Sequence, residues 1–224
     1  MLQRHRATTA AAGAWVFPGG GLEPIDGALV VGDGDEAERQ RRRRLSCDDA
    51  TAFYVAATRE LFEEAGILLA WPATSEMERA QWRRGLLAGD YDFATMLATA
   101  SLRLSLDSLL YVAHWRTPEG RPRRFDTRFF LTAAPEGCQL LSDGAETVAH
   151  EWCRPSEALD RYDAGEWQLL LPTRTLLEQL RPFKEVGEAL AFFEQQPRPT
   201  MVQPVDVARE GGLVAELPAS PRRD

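Results

Sequence analysis

The chain has 224 residues, of which 44% are hydrophobic and 27% charged, a composition typical of a globular protein with a sizeable core. Its formal net charge of −8 argues against a general nucleic-acid-binding protein, which usually carries a basic surface. Three cysteines without CxxC spacing argue against a disulfide framework and a zinc site, and no apolar run is long enough to span a membrane. We therefore expect a cytoplasmic protein without nucleic-acid or membrane partners.

The N-terminal third begins with short strands and a glycine turn. Strands are expected at Met1–Arg6 and around Trp15–Phe17, and consecutive glycines in Pro18–Gly21 favour a tight turn. Residues 22–45 are polar and end in the run Arg41–Arg44. That run is expected to be a solvated loop, and the alternative is an anion-contacting loop beside an active site.

A long helix is expected next, starting near Ser46. Ser46 and Asp49 have the spacing of a capping box, and Gly66 is a suitable C-terminal glycine. Further helical patterns cover residues 74–89, 93–100, 155–163, 172–181 and 184–195, and strand patterns cover residues 109–116, 125–133 and 146–153. Together these elements predict a sheet between helices, followed after Gln196 by an extended arm rich in proline and glycine.

Three glutamates lie on one side of the long helix. Glu60, Glu63 and Glu64 are three or four residues apart, a spacing at which like charges repel, while an apolar stripe lies on the opposite side. That stripe consists of Tyr54, Val55, Thr58, Leu61, Phe62 and Ala65. Clustered carboxylates without nearby His or Cys suit Mg²⁺ or Mn²⁺, and the alternative is a solvated acidic face. Arg59 borders these acids and is expected to orient one of them.

The stretch RELFEEAGI, Arg59–Ile67, resembles the second half of the Nudix box, and the preceding VFPGGG resembles its entry loop. The first half departs from the family pattern. Its acid, six residues after Gly20, is Asp26, which lies 33 residues before Arg59. The box is therefore expected to be split by an insertion at about residues 27–47.

This interruption resembles the Nudix branch that includes the mammalian peroxisomal coenzyme A and acyl-CoA diphosphatases. Trp115–Phe130 and Glu151–Leu159 are similar to two further runs of that branch. The resemblance implies an α/β (α+β) fold, a Nudix-type α/β/α sandwich with a mixed sheet, in a domain of residues 1–195 followed by an arm of residues 196–224. The family's first strand would precede Leu2, so it is expected to be missing here.

The same resemblance implies a set of site residues. Glu60 and Glu64 would be the primary metal ligands, Glu63 would share or bridge the metals, and the Gly20 carbonyl would be a further ligand. Glu63, Arg59 and Glu146 are the expected catalytic residues. Glu146 is the preferred general base, and Glu151 is the second choice. Asp26 is expected to be a turn residue more than a ligand, and His5, His114 and His150 are expected to be structural or exposed.

The branch implies a small-molecule substrate, coenzyme A or acyl-CoA, cleaved to 3′,5′-ADP and (acyl-)phosphopantetheine with Mg²⁺ or Mn²⁺. Two alternatives stay open: hydrolysis of ADP-ribose or a dinucleotide, and a non-catalytic Nudix-fold binding module. Arg124, Asp126 and Arg128 either line a substrate cleft, with Arg124 and Arg128 as substrate-binding residues, or form cross-strand pairs. A homodimer is the candidate oligomer.

Overall fold

The computed structural model describes residues 1–6, 11–140, 147–209 and 212–218. Its helices are α1 Pro24–Ala28, α2 Asp35–Leu45, α3 Ala50–Ala65, α4 Glu76–Ala88, α5 Phe93–Thr99, α6 Pro155–Asp163, α7 Leu171–Leu180 and α8 Val186–Glu194. Its strands are β1 Leu2–Arg4, β2 Trp15–Val16, β3 Ala70–Trp71, β4 Arg103–Leu104, β5 Leu110–Arg116, β6 Asp126–Leu131, β7 Thr147–His150, β8 Met201–Val202, β9 Val205–Arg209 and β10 Gly212–Glu216. The helices and strands expected from residue 74 to residue 195 are confirmed, with ends that shift by a few residues.

Two three-stranded sheets frame the fold. One has the order β2-β1-β7 and is antiparallel, with Leu2 opposite Val16 on one side and His150 on the other. The other has the order β6-β5-β8 and is mixed, because β5 pairs antiparallel with β6 and parallel with β8. The mixed sheet expected from the sequence is therefore present.

Helix α3 lies at the centre of the larger hydrophobic cluster. Tyr54, Val55 and Phe62 are buried there, and the ring of Phe130 of β6 packs against Tyr54 at a tilt, with ring centroids 4.6 Å apart. The apolar stripe predicted for this helix is buried, except for Leu61, which is half-buried. Because this face is fixed in the core, the acidic face is held towards the loop that follows β2.

A smaller cluster lies at the other sheet. Trp15 of β2 and Trp167 stack with centroids 4.0 Å apart, and Leu159 and Leu177 are buried against them. The Glu151 side chain lies near this cluster. Arg161 binds its carboxylate and also lies over the Trp167 ring.

Two expectations about residues 22–49 are wrong. The run Arg41–Arg44 is the last turn of α2 instead of a loop, with acids in the first turn and arginines in the last, the arrangement that the helix dipole favours. Ser46 does not cap α3: it ends α2 in the left-handed conformation at φ +50°, and α3 begins at Ala50. Helix α2 lacks a wide apolar stripe, so its sequence has no helical periodicity.

The segment after Gln196, expected as an extended arm, contributes strands. β8 joins β5 in the mixed sheet, and β9 and β10 form a hairpin. Arg121 binds Asp206 of β9 through Nε at 2.8 Å and Nη2 at 2.7 Å, which fastens the hairpin to the β5–β6 connection. The division of the chain after residue 195 stays a prediction. In the described ranges, no helix combines the length and apolarity needed to cross a bilayer.

Candidate metal-binding and catalytic site

The three glutamates lie on the last two turns of α3. Gly66 ends this helix in the left-handed region at φ +73°, and its amide donates to the Phe62 carbonyl, so the C-terminal glycine expected from the sequence is confirmed. The Glu60 side chain is 14% exposed and that of Glu63 27%, and Glu64 is buried. The acidic face is therefore partly enclosed, not a freely solvated surface.

Arg59 binds several residues of the site at once. Its side chain is 2% exposed, and Nη1 donates to Glu60 Oε1 at 2.9 Å and to Glu63 Oε2 at 3.2 Å. The predicted orienting contact is thus present, and it reaches two carboxylates instead of one.

The other edge of the Arg59 guanidinium binds the acid of the first half of the box. Nε and Nη2 donate to the two carboxylate oxygens of Asp26 at 3.0 Å each, and Nη2 also donates to the Gly21 carbonyl at 2.9 Å. Asp26 was expected as a turn residue. It lies instead in the first turn of α1, buried against Arg59, because the short helix turns its carboxylate inwards.

Burial and charge act in opposite directions on these groups. Burial raises the pKa of the Glu60 and Glu63 carboxyls, although the charge and hydrogen bonds of Arg59 lower them in part. Burial lowers the Arg59 pKa, but the hydrogen bond to Asp26 and the charges of the surrounding carboxylates outweigh it and raise the pKa overall. Arg59 therefore remains a permanent cation that partly offsets the crowding of the acids.

The glycine loop packs directly against the carboxylates. The Gly19 amide donates to Glu64 Oε2 at 2.8 Å. A Cβ on Gly20 would lie 2.3 Å from Glu60 Oε1, closer than atoms can approach, whereas a Cβ on Gly21 would meet nothing within 4 Å. A side chain at residue 20 would therefore force the Glu60 carboxylate to move from its position beside the loop.

Arg83 of α4 fixes the end of α3 and was missed by the sequence reasoning. Its Nε donates to the carbonyls of Phe62 at 3.1 Å and Glu63 at 2.8 Å, and its Nη2 donates to that of Glu64 at 3.3 Å. These carbonyls belong to the helix terminus, where a cation is favoured. The adjacent Arg84 is exposed, and nothing in the sequence distinguishes the two arginines.

The donor set suits a hard divalent cation in its chemistry. Carboxylate oxygens of Glu60, Glu63 and Glu64 and the Gly20 carbonyl oxygen are ligands of the kind that Mg²⁺ and Mn²⁺ prefer. In the arrangement described, Arg59 and the Gly19 amide hold these carboxylates, and no three acidic, His or Cys side chains of the described residues converge on one point. The close approach of Gly20 to Glu60 nevertheless places the backbone of the loop beside a carboxylate of the helix.

The remaining candidate residues lie apart from Arg59 and its carboxylate partners, or outside the described residues. Glu146 lies outside them. Glu151 accepts a hydrogen bond from Arg161 Nη1 at 2.6 Å, and Arg124 is exposed and donates to the Thr117 carbonyl. Arg128 is mostly buried over the Phe53 ring, and Asp126 binds His114, Arg116 and Arg128. The cross-strand pairing of Asp126 is thus present.

Comparison with known proteins gives consistent matches. A family model described as the NUDT19 Nudix domain matches residues 34–178. The acyl-coenzyme A diphosphatase NUDT19 of Homo sapiens is 31% identical over 157 residues, which cover 63% of this chain and 42% of that protein. The protein of the same name in Xenopus laevis is 25% identical over 262 residues, covering 97% of this chain and 69% of that protein.

Two further relatives extend the comparison. The putative nudix hydrolase 7 of Caenorhabditis elegans is 26% identical over 210 residues, covering 94% of this chain and 64% of that protein. The crystal structure of a NUDIX hydrolase from Alicyclobacillus acidocaldarius has a TM-score of 0.66 and 25% identity, and the match covers 85% of this chain and 86% of that one. This likeness confirms the fold class expected from the sequence. The chain spans 42% of the human relative's length.

Proposed function

The chain belongs to the NUDT19 Nudix domain family, and from this membership we propose that it is a divalent-metal-dependent hydrolase of diphosphate linkages. The proposed substrate is coenzyme A or an acyl-CoA, cleaved to 3′,5′-ADP and (acyl-)phosphopantetheine. The names of the human and frog relatives support this substrate class.

One observation carries the proposal. Arg59 binds Asp26 with one edge of its guanidinium and Glu60 and Glu63 with the other, so the two halves of an interrupted box form one buried network. A binding module would have no need to keep a buried arginine between three carboxylates and a glycine loop.

The residues have distinct proposed roles. Glu60, Glu63, Glu64 and the Gly20 carbonyl would hold Mg²⁺ or Mn²⁺, and the bound cation would neutralise the diphosphate charge. Arg59 orients Glu60 and Glu63, and Asp26 keeps the Arg59 guanidinium in place. Glu146 is the proposed general base, whose carboxylate would accept a proton from the attacking water.

Arg124 and Arg128 are the proposed substrate-binding residues. Arg124 is exposed, so it is accessible to a charged ligand. Arg128 lies over Phe53, on the same face of α3 as the acids.

A substrate panel tests the function. CoA, an acyl-CoA, ADP-ribose and NADH are incubated with Mg²⁺ or Mn²⁺, and the products identify the bond that is cut. Formation of 3′,5′-ADP from CoA supports the proposal, whereas preference for ADP-ribose would identify the alternative substrate class. Absence of any turnover with every substrate and either metal would favour a binding module.

A matched pair of variants tests the general base. Glu146→Ala should lower kcat by at least about a hundredfold, the usual contribution of a positioned base. Glu136→Ala, which removes an exposed glutamate from the same connection, should leave kcat unchanged. Equal activity of both variants would reject Glu146. The cytoplasmic location and the homodimer stay predictions.

A further inference from the structure

Arg128 combines burial with incomplete pairing. Its side chain is 11% exposed, and its guanidinium lies 3.9 Å from the centroid of the Phe53 ring. The contact from Nη1 to Asp126 Oδ1 is long, at 3.4 Å, and Nε is buried without a hydrogen-bond partner in the described structure. A buried donor without an acceptor is costly, so the guanidinium is suited to an additional anion.

The contact with Phe53 places Arg128 on the face of α3 that also carries the box carboxylates. Phe53 precedes Glu60 by seven residues, which on a helix is two turns along the same face and about 10 Å along the axis. The residues between them on that face, Ala56 and Ala57, are small. A ligand that reaches from the carboxylates along α3 therefore comes to Arg128.

Arginines from two other segments lie near Arg128. Arg198 lies three residues before Met201, which pairs with His114 of β5 in a parallel ladder, so Arg198 is near the Tyr111 end of that strand, where its charge partly offsets the rise that burial causes in the Tyr111 pKa. The Arg41 guanidinium lies 6.0 Å from the centroid of the Tyr54 ring, and Arg44 follows it by about one turn of α2. Both tyrosines contact the Phe130 ring, at 4.6 Å and 5.8 Å between centroids. β6, the end of α2 and the arm after α8 thus bring positive charge to one end of α3, in a chain whose net charge is −8.

The arginines near Arg128 differ in whether they already form an ion pair with an acidic side chain. Arg41 binds both carboxylate oxygens of Asp33, at 2.6 Å and 3.0 Å. Arg42 pairs with Glu38 and Arg43 with Glu36. Arg44 and Arg198 are exposed, and the described structure gives neither an ion pair.

We propose that Arg128 and Arg198, with Arg44 at the rim, form a second anion site that binds a phosphate monoester of the substrate, about 10 Å from the metal-binding carboxylates. This inference rests on the proposed function. A guanidinium packed against an aromatic ring, as Arg128 is against Phe53, keeps its donors in the planar fork that phosphate oxygens accept. CoA carries such a phosphate on its ribose, whereas ADP-ribose and NADH carry none, so the site would determine substrate choice.

Binding of two nucleotides tests the site without any need for turnover. The wild-type protein should bind 3′,5′-ADP at least about tenfold more tightly than 5′-AMP in calorimetric titrations, because the additional phosphate gains charge-assisted hydrogen bonds. Arg128→Gln and Arg198→Gln should each remove most of this difference and leave 5′-AMP binding unchanged. Arg103→Gln, in which an exposed arginine of β4 is replaced, should keep the full difference.

Two results of the binding experiment would overturn the proposal: equal binding of both nucleotides by the wild type, or equal weakening of both by the arginine variants. Arg198 is exposed, so its variant is expected to fold even if Arg128→Gln does not. If 3′,5′-ADP is preferred but CoA is not cleaved, the anion site stands and the proposed hydrolase function fails. Cleavage of CoA and of 3′-dephospho-CoA with equal kcat/KM would reject the site and leave the hydrolase intact.

Discussion

Arg59 and Asp26 are 33 residues apart in the chain and form a bidentate ion pair in which the two side chains are 2% and 0% exposed. The residues between them include α2, which packs against α3 without separating the pair. The segment between Asp26 and Arg59 therefore does not keep the two side chains apart, and one guanidinium binds Asp26, Glu60 and Glu63.

Replacing Asp26 is expected to destabilise the protein. Asp26→Asn should lower the free energy of unfolding by about 3–5 kcal/mol, since it removes the buried bidentate partner of Arg59, and Glu60 and Glu63 contact only Nη1. Asp26→Glu keeps the carboxylate and should retain most of the stability. Urea denaturation measures both, and an Asp26→Asn protein as stable as the wild type would show that the pair is not needed.

Replacing Asp26 and Arg59 together should restore stability without restoring activity. Asp26→Leu combined with Arg59→Met replaces the ion pair by apolar groups, so it should be more stable than Asp26→Asn alone. It should remain inactive in the CoA assay, because Glu60 and Glu63 then lack the cation that orients them. Recovery of activity in the double variant would contradict the role given to Arg59.

Gly20 and Gly21 offer a matched comparison. Gly20→Ala should displace the Glu60 carboxylate, because its Cβ would lie 2.3 Å from Oε1, and turnover should fall at least about tenfold. Gly21→Ala adds the same methyl group where nothing lies within 4 Å, and should change turnover little. Equal kcat values in the two variants would exclude a functional contact between loop and helix.

Divalent cations should stabilise the folded protein through the box acids. Addition of Mg²⁺ or Mn²⁺ should raise the Tm of the wild type, since a ligand that binds the folded state stabilises it, and chelation should reverse the change. Glu60→Gln and Glu64→Gln should show a much smaller rise. Glu76→Gln, a change at an exposed acid of α4, serves as the control. The same rise in all four proteins would place the cation elsewhere.

Arg83 should position the acid-bearing turn. Arg83→Leu should lower the free energy of unfolding by about 2 kcal/mol, because it removes charged hydrogen bonds from the terminal carbonyls of α3. It should also raise the Mg²⁺ concentration needed for half-maximal activity, an effect that lost stability alone would not produce. Arg84→Leu is the exposed control. An unchanged Mg²⁺ requirement would limit Arg83 to a structural role.

Local patterns accounted for much of the fold and for the choice of acids. The apolar stripe of α3 and its terminal glycine fixed which face of that helix is buried and where the helix ends. Helix α2 could not be predicted from apolar periodicity, because it is stabilised by charges and by the contacts of Arg41. The partners of Arg41, Asp33 and Thr51, lie eight and ten residues away. Such contacts leave no periodic signal.

The sequence by itself determined that three carboxylates share one side of a helix beside a glycine turn, because helical geometry and glycine conformations depend on neighbours in the chain. The tertiary structure alone decided that Asp26 meets Arg59, that Arg83 binds the end of α3 and that Arg128 lies over Phe53. These pairs are distant in the chain, and their partners are chosen by how the sheets and helices pack.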